Sequence, residues 1–368
     1  MHVLLTHERF LPDFGGGGEY IAFETARHLM RRGVHVRVLT TGDPAATNYE
    51  GVPTVRVPVH RYGLNLAVRR IVREARTADL IHTCNYHAAL PSLLAGRWLR
   101  KPVVCQMLGL FDEGWKEMRG PVLGRAFMHW ERFILKRDFA RTMFLSDYSL
   151  EVGVAHGVDR RTAVANCPGV ALAECQAACQ RHDKDDVVLF AGKLERRKGV
   201  DDLIAVARRL PGVRFRVAGW GPEAERFLSE APPNVEFVGF QQGERLRDTF
   251  ARAPIFFFPS RAETFGLVIV EAMASGCAIV STIPIPFAGV RVGVGDRDAM
   301  TAAIRTLWEE RGATALMGQR NADLAAAYTW ERYADTLVTT YTEVLRERTA
   351  GSVLARASAG QAATGGAE

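Results

Sequence analysis

The sequence predicts an α/β protein built from two Rossmann-like domains in tandem. Short apolar runs alternate with amphipathic stretches along almost the whole chain, the mark of parallel sheets covered by helices. The alternation breaks once, over residues 170–186, and then restarts. In each half a glycine- or charge-rich segment follows the first apolar run, at the sheet edge where open α/β folds hold ligands.

In the first half, residues 2–6, 34–40, 80–83, 103–107 and 142–145 read as strands, with helical patterns over 19–32, 64–76, 87–99 and 121–136. A less regular, cysteine-containing stretch follows over 170–186. In the second half the strand candidates are 187–191, 213–218, 235–238, 255–258 and 278–281. The helices between them are 199–209, 222–230, 244–252 and 265–275. Three further helices, 296–310, 314–327 and 330–346, close the pattern. The expected domains are 1–171 and 172–348, with the last helix folding back on the first domain. Residues 349–368, rich in alanine, glycine and serine, read as a disordered tail.

With 368 residues and 48% hydrophobic content the chain can bury two separate cores. A net charge of +6 suits an anionic ligand or surface. No basic run is interleaved with aromatics, so nucleic acid is not an expected partner. No apolar stretch approaches the roughly 20 residues that span a bilayer, and residues 1–8 read as a first strand and not as a leader. The six cysteines are scattered without a CxxC pair. Cys175 and Cys179 could share a helix face, but two thiols make a poor metal site. Reduced cysteines and a cytoplasmic location are the expectation.

Three segments can carry chemistry. Gly15-Gly16-Gly17-Gly18-Glu19 joins the first strand to the first helix, where glycines allow close backbone approach and a helix start favours an anion; it also reads as a plain turn. It lacks both the spaced GxGxxG pattern and the Walker lysine, which ranks a dehydrogenase last. Gly192-Lys193-Leu194-Glu195-Arg196-Arg197-Lys198-Gly199 places four cations after the second half's first strand, enough to neutralise a diphosphate, or else a solvated basic turn. Finally, Glu263 and Glu271 bracket Thr264-Phe265-Gly266-Leu267 after the apolar run 255–258. Helix amides there suit a phosphate, and the carboxylates suit hydroxyls. Together they describe a site for a ligand that carries both phosphate and hydroxyls, such as a nucleotide sugar.

The string from Pro259 to Gly276, PSRAETFGLVIVEAMASG, resembles the donor-site motif of retaining family 4 glycosyltransferases. The glycine loop, the 192–199 loop, Gly219-Trp220-Gly221-Pro222, Val238-Gly239-Phe240 and Thr329-Trp330-Glu331 follow in that family's order. The resemblance implies the GT-B fold, two Rossmann-like domains facing across a deep cleft, the first binding acceptor and the second nucleotide sugar. It implies transfer of a sugar, from a UDP- or GDP-sugar foremost, with retention of configuration. No metal and no further cofactor are implied, because lysines and helix amides take the place of a divalent cation.

By the same resemblance Lys193 and Lys198 meet the donor diphosphate, and the amides near Thr264, Phe265, Gly266 and Leu267 meet phosphate or sugar. Glu263 contacts sugar hydroxyls, Glu271 the ribose and Phe240 the base region, while Gly16, Gly17 and Gly18 line the donor site from the first domain. Lys193, Lys198 and Glu263 are the expected catalytic set.

The sequence departs from the family pattern at three places. Lys193 stands where many relatives have arginine, which keeps the charge but loses the bidentate fork. Leu108 stands where a histidine usually precedes Gly109, leaving a backbone contact alone; His87, on a neighbouring loop, is a candidate for acceptor contact or a packing residue. After Ser281, Thr282-Ile283-Pro284-Ile285-Pro286-Phe287 replaces a Gly-Gly-x-x-Glu element. These departures keep two alternatives open: an isomerase or epimerase of the nucleotide sugar, and a non-catalytic nucleotide-sugar-binding protein. The helix over 121–136 mixes Phe127, Met128, Trp130, Phe133 and Ile134 with Arg125, Arg132, Lys136 and Arg137, a pattern of core packing or of peripheral membrane contact. The acceptor (metabolite, lipid or glycan) and the oligomeric state are not legible.

Overall fold

The computed structural model describes residues 1–13 and 16–364, with side chains described as far as Ala350. Gly15 of the glycine run and residues 365–368 of the tail lie outside the described residues. The chain forms two compact units. The first comprises Met1–Leu108, Glu131–Asn166 and the chain from Tyr333 onward; the second comprises Gly109–Trp130 and Cys167–Arg332. The main division thus falls between Asn166 and Cys167, slightly before the 171–172 boundary expected from sequence.

The first unit is built on eight strands: β1 (His2–Thr6), β2 (His35–Thr41), β3 (Asn48–Tyr49), β4 (Val52–Val57), β5 (Leu80–Cys84), β6 (Val103–Met107), β7 (Arg141–Phe144) and β8 (Ala163–Ala165). Their order is β3-β4-β2-β1-β5-β6-β7-β8, parallel except for the β3–β4 pair. Chain order reverses between β1 and β5, which pair in register Leu5↔His82 and Thr6↔Thr83. At that seam the buried hydroxyls of Thr6, Thr83 and Ser92 satisfy one another, at 2.8 Å for each contact of Thr6. The last helix supplies buried Tyr333, whose hydroxyl donates to Gln106 at 3.3 Å, and buried Tyr341, which bonds His82.

The second unit holds six parallel strands: β9 (Val188–Ala191), β10 (Phe215–Ala218), β11 (Val235–Gly239), β12 (Ile255–Phe258), β13 (Ala278–Ser281) and β14 (Gly289–Arg291). The order β11-β10-β9-β12-β13-β14 is the Rossmann order, with its switch point between β9 and β12. Both strands are fully buried, as a central parallel strand with helices on each face requires, and this is why Ile255-Phe256-Phe257-Phe258 is apolar without alternation.

Several elements differ from the sequence reading. The strands β3, β4, β8 and β14 were not expected; they are short or, in β4, half-buried and carry a proline, Pro53. The stretch read as irregular contains a regular helix, Leu172–Arg181, whose buried side is Cys175 and Ala178. Small residues give a weak hydrophobic period, which hides such a helix. The final helix runs from Trp330 to Thr364, so helical backbone continues through an alanine-rich segment whose composition reads as disorder. In the helix Pro121–Leu135, Met128 and Ile134 are buried, while Val122, Leu123 and Phe133 are exposed. Among the described residues no helix is long and apolar enough to cross a membrane.

Candidate active site

In the second unit the loops leaving β9 and β12 meet beyond the switch point because glycine permits it. Gly199 has φ +77°, and a Cβ there would lie 2.1 Å from the Pro259 carbonyl oxygen. Gly219, after β10, has φ +152°, and its Cβ would lie 1.8 Å from the Gly192 carbonyl oxygen. Backbone bonds extend the stitching: Gly192 donates to Ala218 at 2.9 Å, Leu194 to Trp220 at 3.1 Å, and Arg261 to Arg197 at 2.8 Å.

This stitching brings Lys198 against Glu263. Their charged groups form an ion pair, each side chain 14% exposed. The Lys198 ammonium also lies 5.3 Å from the centre of the Phe258 ring. Burial pulls the Lys198 pKa below its ordinary value, against the opposing pull of Glu263. Burial alone would raise the Glu263 carboxyl; the charges of Lys198 and Arg197 outweigh it and hold the group below the usual carboxylate range. Each group thus favours the charged form of the other, against burial, which favours the neutral form of both.

Glu263 also accepts from the Thr264 amide at 3.3 Å. Gly266, with φ +77°, begins the helix Leu267–Ala274, and no side chain caps that end. Its first amides carry the partial positive charge of a helix start. Phe265 is buried against Tyr328, ring centres 5.9 Å apart, which anchors the segment from behind. Glu271 lies farther along the same helix. Burial pushes its carboxyl up to about 7, with Arg247 opposing, and no side-chain hydrogen bond or ion pair reaches it from a described residue.

Lys193 stands apart: it is about half exposed and lies 3.9 Å from Glu195. Phe240 is exposed just beyond the edge strand β11, two strands from the switch point, and Trp220 is exposed after β10. The sequence reading missed a clamp behind the loops. Asp202, wholly buried, accepts from Arg261 at 2.7 Å and from Arg297 at 2.8 Å, while Arg197 donates to the Ala262 carbonyl at 2.9 Å. Only chain reversal brings these residues together, so no local pattern marks them.

The first unit has its own cluster at the β1–β5 switch point. A Cβ on Gly18 would lie 3.4 Å from Leu108 and 3.8 Å from the His7 ring, so Gly18, Leu108 and the end of β1 converge. The Leu108 amide donates to the Asn85 side chain at 2.8 Å. His87 precedes the helix Ala89–Leu99 and is fixed on several sides. Its amide donates to Glu8 at 3.3 Å, Asn65 donates to its Nδ1 at 3.0 Å, and its ring meets Tyr62 edge-on at 4.7 Å. Burial, reinforced by Arg61 and His60, lowers the His87 pKa to about 4, so the ring is neutral at pH 7. Burial likewise lowers His7 to about 4 and raises Glu8 and Glu19. Glu8 and Arg61, 3.6 Å apart, were not singled out from sequence; two polar residues directly after the first strand were the available signal.

Two Rossmann-type units, each with a polar loop cluster at its sheet's switch point, are the parts of a GT-B fold. The comparisons agree. A sequence profile described as glycosyltransferase family 4 matches residues 15–174, and one described as glycosyl transferases group 1 matches residues 185–310. The chain is 25% identical over 398 residues to a D-inositol 3-phosphate glycosyltransferase of Mycobacterium ulcerans, covering 92% of this chain and 84% of that protein. It is 28% identical over 318 residues to a GDP-mannose-dependent alpha-mannosyltransferase of Corynebacterium glutamicum, covering 80% and 73%. In fold it is similar to Anabaena HepE, solved with UDP-glucose, at a TM-score of 0.74 and 17% identity, covering 93% of this chain and all of that one. The chain belongs to the family 4 glycosyltransferases and uses a nucleotide-sugar donor.

Proposed function

We propose that the chain transfers a sugar from a UDP- or GDP-sugar to a hydroxyl acceptor with retention of anomeric configuration and without a metal ion. The observation that carries this reading is the Lys198–Glu263 pair at the β9–β12 switch point, beside an uncapped helix start. The names of similar proteins supply both bases, UDP-glucose for one and GDP-mannose for another, and so do not choose between them.

In this reading the donor diphosphate takes Lys198 from Glu263 and lies against the amides near Gly266 and Leu267. Lys193, about half exposed, adds charge. Glu263, released from its cation, accepts hydrogen bonds from sugar hydroxyls, and Glu271 accepts from the ribose diol. As the bond from the anomeric carbon to the phosphate oxygen breaks, Lys198 and the helix amides stabilise the growing negative charge on the leaving diphosphate. The acceptor oxygen bonds to the anomeric carbon on the same face, and its proton passes to the departing phosphate oxygen. Glu263 orients and does not attack. The acceptor meets the first unit, where His87 is neutral and can exchange a hydrogen bond with a hydroxyl, and Leu108 offers backbone alone.

Thermal shifts with UDP, GDP, ADP and their sugars test the donor, since a bound ligand stabilises the folded state with the logarithm of its concentration over its dissociation constant. One nucleotide class should stand out. NMR of the transferred product gives the anomeric outcome, and an inverted product would end the retaining reading. Full transfer after exhaustive chelation is expected; loss of it, restored by a divalent cation, would end the metal-free reading.

A further inference from the structure

A cavity of about 390 Å³ opens in the first unit at the sheet edge opposite to the switch-point loops. Its floor is the start of β6 and β7, where Lys101, Pro102 and Ala140 precede the strands. A five-residue strand spans roughly 16 Å, so the cavity is a full strand length away from Asn85 and Leu108.

Its lining is strongly cationic. Arg97 and Arg100 come from the carboxyl end of the helix Ala89–Leu99, and Arg348 comes from the final helix. None of the three makes a side-chain hydrogen bond or ion pair with a described residue. Lys101 is committed elsewhere: its ammonium bonds the carbonyls of Ala75 at 2.8 Å and of Arg76 and Ala78 at 2.5 Å. Glu347 is also committed, to Arg141 at 3.1 and 2.5 Å. Asp138 is then the one lining carboxylate left to oppose three guanidinium groups.

A helix carboxyl end favours a cation through its dipole, which accounts for Arg97 and Arg100. It does not account for Arg348, which arrives from a distant part of the sequence and adds like charge. Burial pulls the Lys101 pKa below its ordinary value, with Asp79 opposing and the repulsion of Arg348 adding to the fall. The three guanidinium groups are exposed, so solvent screens their repulsion, but they surround one depression, and planar guanidinium groups match the paired oxygens of a phosphate.

We propose that this cavity is a second, peripheral anion site that binds a phosphate- or diphosphate-bearing ligand. It is separate from the donor loops and does not depend on the reading given for them. On the same helix Leu94 and Trp98 are 42% and 72% exposed, one turn apart beside Arg97. The phosphate can therefore belong to a soluble ligand or to a headgroup at a lipid surface.

Calorimetric titration of the full chain with inorganic pyrophosphate tests the site, using Lys198→Ala to silence the donor loops. Saturable binding to the Lys198→Ala protein is expected. Adding Arg97→Gln, Arg100→Gln and Arg348→Gln should weaken it roughly tenfold or more, while leaving nucleotide binding to the otherwise wild-type chain intact. Flotation with phosphatidylglycerol and with phosphatidylcholine vesicles separates the two sources. Association with the anionic vesicles alone, lost in the triple variant, assigns a lipid headgroup; pyrophosphate binding without flotation assigns a soluble ligand. Pyrophosphate affinity that is the same with and without the three arginines, or no binding of either kind, overturns the proposal.

Discussion

Lys198 and Glu263 lie 65 residues apart in sequence and form an ion pair at the switch point of the second sheet. In the proposed reaction the two serve different parts of the donor. Their mutual contact is therefore the resting arrangement that a diphosphate would open: each charge offsets part of the other's burial. Removing either partner leaves a poorly solvated charge, and should cost on the order of 3 kcal/mol of stability. Lys198→Met with Glu263→Leu should recover most of that loss in urea unfolding, yet remain inactive. Activity in the double variant would show that the pair is structural only.

Glu271 makes stability depend on pH. Its folded-state pKa is raised from 4.5 to about 7, so the folded protein binds more protons than the unfolded chain across that window. The contribution is thus fully present below pH 4.5 and is lost as pH rises through about 7. The loss is at most about 3 kcal/mol, less with partial solvation. Unfolding free energies at pH 5 and pH 8 should differ by less in Glu271→Gln than in the wild type. Parallel curves for the two proteins would remove Glu271 as the source.

Asp202 touches neither proposed substrate but fixes the loop that presents Glu263. Because it joins Arg261 and Arg297, Asp202→Asn should raise the donor KM and lower kcat while leaving the acceptor KM near its wild-type value. A general packing role would instead lower thermal stability with both KM values unchanged.

Gly219 is set by contact. A Cβ 1.8 Å from the Gly192 carbonyl oxygen cannot be accommodated without moving the backbone of the lysine loop. Gly219→Ala should cost more than about 3 kcal/mol and weaken donor binding in parallel. Gly212, with nothing within 4 Å of an added Cβ, is the control, and Gly212→Ala should change stability by less than about 1 kcal/mol. Equal effects at the two positions would contradict the close approach.

His87 is held neutral, with a pKa of about 4, by burial beside Arg61. Its NMR titration should show no protonation above pH 5.5, and the acceptor KM should carry no inflection from it near pH 6.5. His87→Ala should raise the acceptor KM and spare the donor KM. A donor effect alone would move His87 out of acceptor recognition.

Much of this protein was legible in the chain itself. The two-domain α/β rhythm follows from apolar runs such as Ile255–Phe258, because a strand buried on both faces needs no polar alternation. The glycine, lysine and two-glutamate loops were legible because each lies between a strand and the helix after it, and a parallel sheet sends all such loops to one edge. Short or half-exposed strands were not legible, nor was the helix Leu172–Arg181, whose Cys and Ala side chains give little periodic signal.

What tertiary structure alone decided is which charges meet. Sequence placed Lys193 and Lys198 on equal terms; the fold buries Lys198 against Glu263 and leaves Lys193 half exposed. It also gathered Asp202 with Arg261 and Arg297, and Arg97 and Arg100 with Arg348, from segments with no local relation. Periodicity reports the burial of a single element, whereas electrostatics depends on distances between elements, and strand order sets those distances.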